Sequence, residues 1–155
     1  MIEIQISWLG IIYLIGLIMP NILWSKHQPI GYDSSQENKT LLMIERIGEV
    51  LTSCFAVISF QKISYHSILF FVVSVIALVL YECYWVRYFR SPKTLKDFYS
   101  SYLGMPLAGA TYPIIAFLCL GISLQNIVLI ISTMFLGIGH IGIHYQHLRE
   151  LEKKH

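Results

Sequence analysis

His140, His144 and His147 follow one another at spacings of four and three in an apolar stretch near the end of a 155-residue chain. On a helix of 3.6 residues per turn those offsets hold the three rings within roughly 60°, one polar stripe on one face. An imidazole in hydrocarbon is costly unless it meets protein, water or a metal, so a histidine row in a membrane helix marks a functional site. Two imidazoles four apart can chelate one ion, and carboxylates from other helices can complete its shell. The expected ligands are His140, His144 and His147 with Glu49 or Glu82. Mixed nitrogen and oxygen donors suit zinc, iron or manganese. Without a metal the same row handles protons or ties helices together by hydrogen bonds.

The elements that carry these residues are membrane helices. The chain is 55% hydrophobic and 13% charged, where soluble domains carry about a quarter charged residues. A net charge of +2, with no continuous basic face, excludes nucleic acid as a partner. Five apolar segments, at about 6–24, 41–61, 67–88, 103–122 and 126–147, are long enough for a hydrocarbon core that needs about 20 helical residues. The fold class is therefore an all-α membrane bundle in one domain, 1–155. Glu45, Arg46 and Glu49 interrupt the second segment, but counting it as a span sorts the loop charges. Lys26, Lys39, Arg87, Arg90, Lys93, Lys96, Arg149, Lys153 and Lys154 then share one side, and Lys62 stands alone opposite. The positive-inside bias puts the N-terminus outside and the C-terminus in the cytosol. The sequence MIEIQISWLG has no basic residue ahead of its apolar run and no A-x-A-like cleavage site after it, so it reads as a retained helix. The lack of targeting signals and the compact build predict a bacterial cytoplasmic (inner) membrane.

Between the third and fourth segments, SPKTLKDFYSSY at 91–102 reads as a short interfacial helix starting at Ser91 and Pro92. Leu95, Phe98, Tyr99 and Tyr102 form its apolar face, with Tyr81, Tyr84, Trp85 and Tyr88 as an aromatic belt at similar depth. Membrane lipids are the partners this anticipates. Outside turns at 61–66 and 123–126 are too short for a domain. Cys54, Cys83 and Cys119 fall in separate segments and read as packing residues.

Counting 1.5 Å per residue from the cytosolic boundaries puts Glu45 and Glu82 at roughly 6 Å depth, and Glu49 and His140 at about 10 Å, with His144 near the interface. Three helices thus bring ionisable groups to one layer. Arg46 neighbours both Glu45 and Glu49 and can neutralise one of them, while Arg87 is placed to steady an oxyanion or phosphate. Gly137, Gly139 and Gly142, facing Gly104, Ala108, Gly109 and Ala110, predict close helix packing. Pro113 frees the Gly109 carbonyl beside Thr111 and Tyr112, at roughly mid-membrane depth, where it would line a cavity.

The His140–His144–His147 stretch is similar to one histidine box of the membrane lipid desaturases and hydroxylases. His27, His66 and His155 form no second box, so a histidine-rich di-iron centre cannot be assembled, and no axial partner for a haem is present. Three functions remain. The first is a metal-dependent enzyme acting on a lipid or prenyl substrate, with Glu49, Glu82 or His140 as catalytic base. The second is a small proton- or ion-coupled transporter, which at this size would form a homo-oligomer, or a transporter subunit. The third is a non-catalytic regulatory, assembly or immunity protein.

Overall fold

The structure, a computed structural model, describes residues 5–59 and 67–153. The predicted outside turn at 61–66, with Lys62 and His66, lies outside the described residues, as do Lys154 and His155. The described residues form six helices and a two-residue ribbon: β1 (Gln5–Ile6), α1 (Trp8–Ser25), α2 (Lys39–Val57), β2 (Ile58–Ser59), α3 (Ile68–Arg90), α4 (Leu95–Phe98), α5 (Ala108–Ser123) and α6 (Ile127–Glu152). β1 pairs antiparallel with β2 and ties the start of α1 to the end of α2. Three helices, α1, α3 and α6, are long and apolar enough to cross a membrane, which marks the chain as a membrane protein. α5 is apolar but shorter.

Capping residues set the helix ends. Ser7 accepts from Gly10 N–H at the start of α1, Asn38 from Thr40 and Leu41 at the start of α2, and Asn126 from Leu129 at the start of α6. Asn126 also donates through its amide to the carbonyls of Phe55 and Ile58, fastening the α5–α6 turn to the end of α2. At the other end Gln146 of α6 accepts from Asn38 N–H and donates to the Gln36 carbonyl. Consecutive long helices therefore run antiparallel. One end carries the ribbon and the α5–α6 turn. The other gathers the loops 26–38 and 91–107 with Lys26, Lys39, Arg90, Lys93, Lys96, Arg149 and Lys153; we call it the basic end.

Small residues decide which helices touch. A Cβ added at Gly48 would lie 2.3 Å from Leu136 N, and one at Gly139 2.4 Å from Glu45 N, so α2 and α6 cross backbone to backbone. α3 and α5 form the second close pair, with Gly109 against the Tyr84 ring and Ser74 Oγ 2.6 Å from the Ala116 carbonyl. α1 crosses diagonally between the pairs. At the ribbon end its Gly10 packs onto the Ala56 carbonyl of α2. At the basic end its partners lie on α3: Asn21 donates to Tyr81 Oη at 3.1 Å, and Tyr88 donates to the His27 carbonyl just past α1.

Several sequence expectations change. The interfacial helix expected over 91–102 is only Leu95–Phe98, because the Thr94–Asp97 capping box fixes its start in place of Ser91 and Pro92. The Thr94 backbone N–H, bonded to the Asp97 carboxylate, holds that acid below its usual range. Tyr81, Tyr84, Trp85 and Tyr88 are buried core, not a lipid-facing belt, since α4 and α5 cover that face of α3. α5 begins at Ala108 instead of 103, after Leu107 in the left-handed region at φ 46°. Gly109 and Pro113 therefore sit in its first two turns, near the basic end, not at mid-span. Cys54 and Cys83 are exposed, on the outside of the bundle.

Candidate functional site

The two close pairs, α2 with α6 and α3 with α5, part toward the basic end and leave a cavity of about 320 Å³ between them. Its floor and sides are apolar: Leu17, Leu42, Ile114, Phe117, Leu136 and Ile143. Trp24, Tyr32, Tyr81, Trp85 and Phe98 form an aromatic wall, in which Trp24 stacks on Phe98 with ring centroids 5.3 Å apart. Into this lining project Glu37, Glu45, Glu49, Arg46, His140 and His144.

Glu45 and His140 meet across the α2–α6 seam, His140 Nδ1 lying 2.5 Å from Glu45 Oε1. Gly139 makes that distance possible, because its missing side chain lets the two backbones approach one residue away. The Glu45 side chain is 16% exposed and that of His140 27%, so the pair is largely withdrawn from solvent. An imidazole whose Nδ1–H is held by a carboxylate presents Nε2 as its working nitrogen. The His144 ring lies 4.6 Å from that of His140 and packs against Phe98 and Tyr99.

His147 belongs to a neighbouring cluster that closes the cavity from the loop side. Its Nε2 is 3.1 Å from Glu37 Oε1, to which Tyr32 donates at 3.2 Å, and its ring stacks on Tyr99. Burial, joined by the Glu37 carboxylate, holds the Tyr32 phenol well above its usual range, so it stays protonated and a donor. Burial raises Tyr99 in the same way. Loop 26–38 is thus latched to α6 by Glu37–His147 and by the two hydrogen bonds Gln146 makes to Gln36 and Asn38.

Glu45, Arg46, Glu49, His140 and His144 all line this cavity, but with separate partners. Arg46 binds Glu49 at 3.0 Å on the exposed flank of α2. Among the described residues no three histidine, cysteine, aspartate or glutamate side chains converge as a metal shell. Glu82 does not join the layer: it faces Gly16 of α1, and its Oε1 is buried with no hydrogen-bond partner among the described residues. Arg87 holds the 91–107 loop, donating to Ser100 Oγ and the Asp97 and Ser101 carbonyls while lying over the Tyr84 and Tyr102 rings. Thr111 bonds the Pro106 carbonyl and Tyr112 the Tyr102 carbonyl, so both brace the start of α5 and neither lines the cavity. Sequence reasoning missed Glu37, Tyr32, Trp24 and Asn21. Trp24 and Asn21 share the α1 face of Leu17 at spacings of three and four, which is the one signal that could have found them.

The cavity has an open flank. Asn21 and Ser25 of α1 and Arg46 and Glu49 of α2 are exposed and also line it. They mark the gap left where α1 swings from α2 toward α3. Comparison with protein-family models, curated proteins and solved structures found no match.

Proposed function

We propose that this chain is a five-pass protein of a bacterial cytoplasmic membrane whose cavity holds a lipid or prenyl amphiphile and acts on it by proton transfer through His140 and Glu45. The observation that carries the reading is the Glu45–His140 hydrogen bond on the wall of a cavity whose floor and sides are aromatic and apolar. An ionisable pair so placed is expensive to keep in hydrocarbon unless it serves a ligand. The outward apolar residues of α2, Met43, Ile47, Val50 and Leu51, support its crossing the membrane despite its charges. The cluster of basic residues at one end supports a cytosolic C-terminus and an external N-terminus.

In this reading the apolar part of the ligand enters between α1 and α2 from the inner leaflet. Its polar head reaches His140 Nε2, which removes or returns a proton while Glu45 steadies the imidazolium. A carboxylate on Nδ1 is also the partner that metal-ligating histidines use, so a divalent ion on His140 Nε2, with His144 beside it, is the second form of the proposal. Transport is supported less well, because the ribbon end is packed with Tyr13, Ala56, Ala116, Phe117, Leu120 and Leu129 and offers no acidic, basic or histidine side chain among its described residues.

The test is untargeted mass spectrometry of membrane lipid extract incubated with protein in nanodiscs. A product formed by the wild type and absent with His140→Ala and Glu45→Gln supports the enzyme. Identical profiles from all three would overturn it. Metal analysis of the wild type and of His140→Ala with His144→Ala separates the two forms.

A further inference from the structure

We infer that the cavity selects a cationic amphiphile, an ammonium group carried on an apolar chain, and rejects an anionic one. The inference rests on the reading of this cavity as an amphiphile site and assigns its headgroup. Three carboxylates line the cavity, those of Glu37, Glu45 and Glu49, against one guanidinium, that of Arg46. With imidazoles neutral the lining is therefore negative, and protonating both histidines that line it, His140 and His144, brings it only to balance. Arg46 is committed to Glu49 at 3.0 Å. Arg87, expected to hold a phosphate, is turned to the 91–107 loop and does not line the cavity.

The walls reinforce the sign. Trp24, Tyr32, Tyr81, Trp85 and Phe98 surround the space above the Glu45–His140 pair. Their ring faces carry negative quadrupole and attract a weakly hydrated cation, tryptophan most strongly. Aromatic faces combined with carboxylates in a desolvated pocket are the chemistry that recognises quaternary ammonium groups. A sulfate or phosphate placed there would meet like charge from the Glu37 and Glu45 carboxylates, with Arg46 already paired to Glu49. Entry past Asn21, Ser25 and the Arg46–Glu49 pair lets a chain remain in lipid while the ammonium turns inward.

Decyltrimethylammonium, decyl sulfate and decyl glucoside share one tail and differ in head charge. Their binding to the full chain in nanodiscs is measured by equilibrium dialysis, with empty nanodiscs subtracted. We expect the ammonium probe to bind at least about tenfold tighter than either other probe, which is a difference of about 1.4 kcal/mol. Glu45→Gln should cut that preference severalfold, and Glu37→Gln provides the same reading if Glu45→Gln fails to fold. Equal binding of all three probes that disappears with Ser25→Trp, a rim substitution, would overturn the charge selection and leave the amphiphile site standing. Tighter binding of decyl sulfate would do the same. No binding of any probe above empty nanodiscs would overturn the site itself.

Discussion

At the ribbon end the five long helices close around alanines, leucines, Tyr13 and Phe117, and the buried Ser74 and Asn126 are hydrogen-bonded locally. At the basic end the same helices spread around tyrosines, tryptophans and the Glu45–His140 pair, and a cavity remains. The contrast comes from side-chain size. At the ribbon end Gly10 brings α1 onto the Ala56 carbonyl, whereas at the basic end Gly139 still holds α2 to α6 but rings hold that pair apart from α3 and α5 and wall a space they do not fill. In lipid, helix association depends on such packing more than on hydrophobic burial, so bundle stability rests on the small-residue seams and ligand chemistry on the walled cavity.

Substitutions should therefore sort into two classes. The largest effect belongs to the α2–α6 seam: Gly48→Ala places a Cβ 2.3 Å from Leu136 N, and we expect a loss at or beyond the top of the ~1–3 kcal/mol overpacking range, read as a fall in Tm. His140→Ala should reduce any turnover by about 10²-fold or more with a much smaller change in Tm, because the cavity carries the chemistry and the close-packed seams the stability. Equal loss of both would erase the distinction. Ser74→Val removes the partner of Tyr13 Oη and of the Ala116 carbonyl, so it should cost about 1–3 kcal/mol by thermal unfolding and leave probe binding unchanged. Gln146→Ala removes two of the ties of loop 26–38 to α6 and leaves Glu37–His147; limited proteolysis in that loop should quicken with little change in Tm. Arg46→Gln breaks only an exposed pair and should alter stability by less than about 1 kcal/mol.

The level of Glu45 against His140 along their helices was legible in the sequence, and direction was not. Spacing along α6 put His140 and His144 on one face, and counting residues put Glu45 at their level; the structure brings Glu45 to His140. Glu82 has the same calculated depth, yet it points at Gly16, because its azimuth around α3 depends on a neighbour that sequence periodicity does not identify. Tyr81, Tyr84, Trp85 and Tyr88 follow helical spacing, which a lipid-facing belt and a buried core share; only the packing of α4 and α5 decides. Loop 26–38 has no periodicity, so the pairing of Glu37 with His147 across 110 positions had no local sign. The Thr94–Asp97 capping box was visible, and it outweighs the Ser91–Pro92 start because it satisfies two backbone donors reciprocally.

The central claim is that an amphiphile enters the basic end between α1 and α2. Its most direct test is photo-crosslinking of a diazirine-tailed amphiphile to the chain in nanodiscs, with adducts mapped by peptide mass spectrometry. We expect adducts concentrated on Leu17–Ser25 and Leu42–Glu49 and lost with Ser25→Trp. Adducts spread evenly over the outward faces of α1, α3 and α6, and unchanged by that substitution, would contradict it.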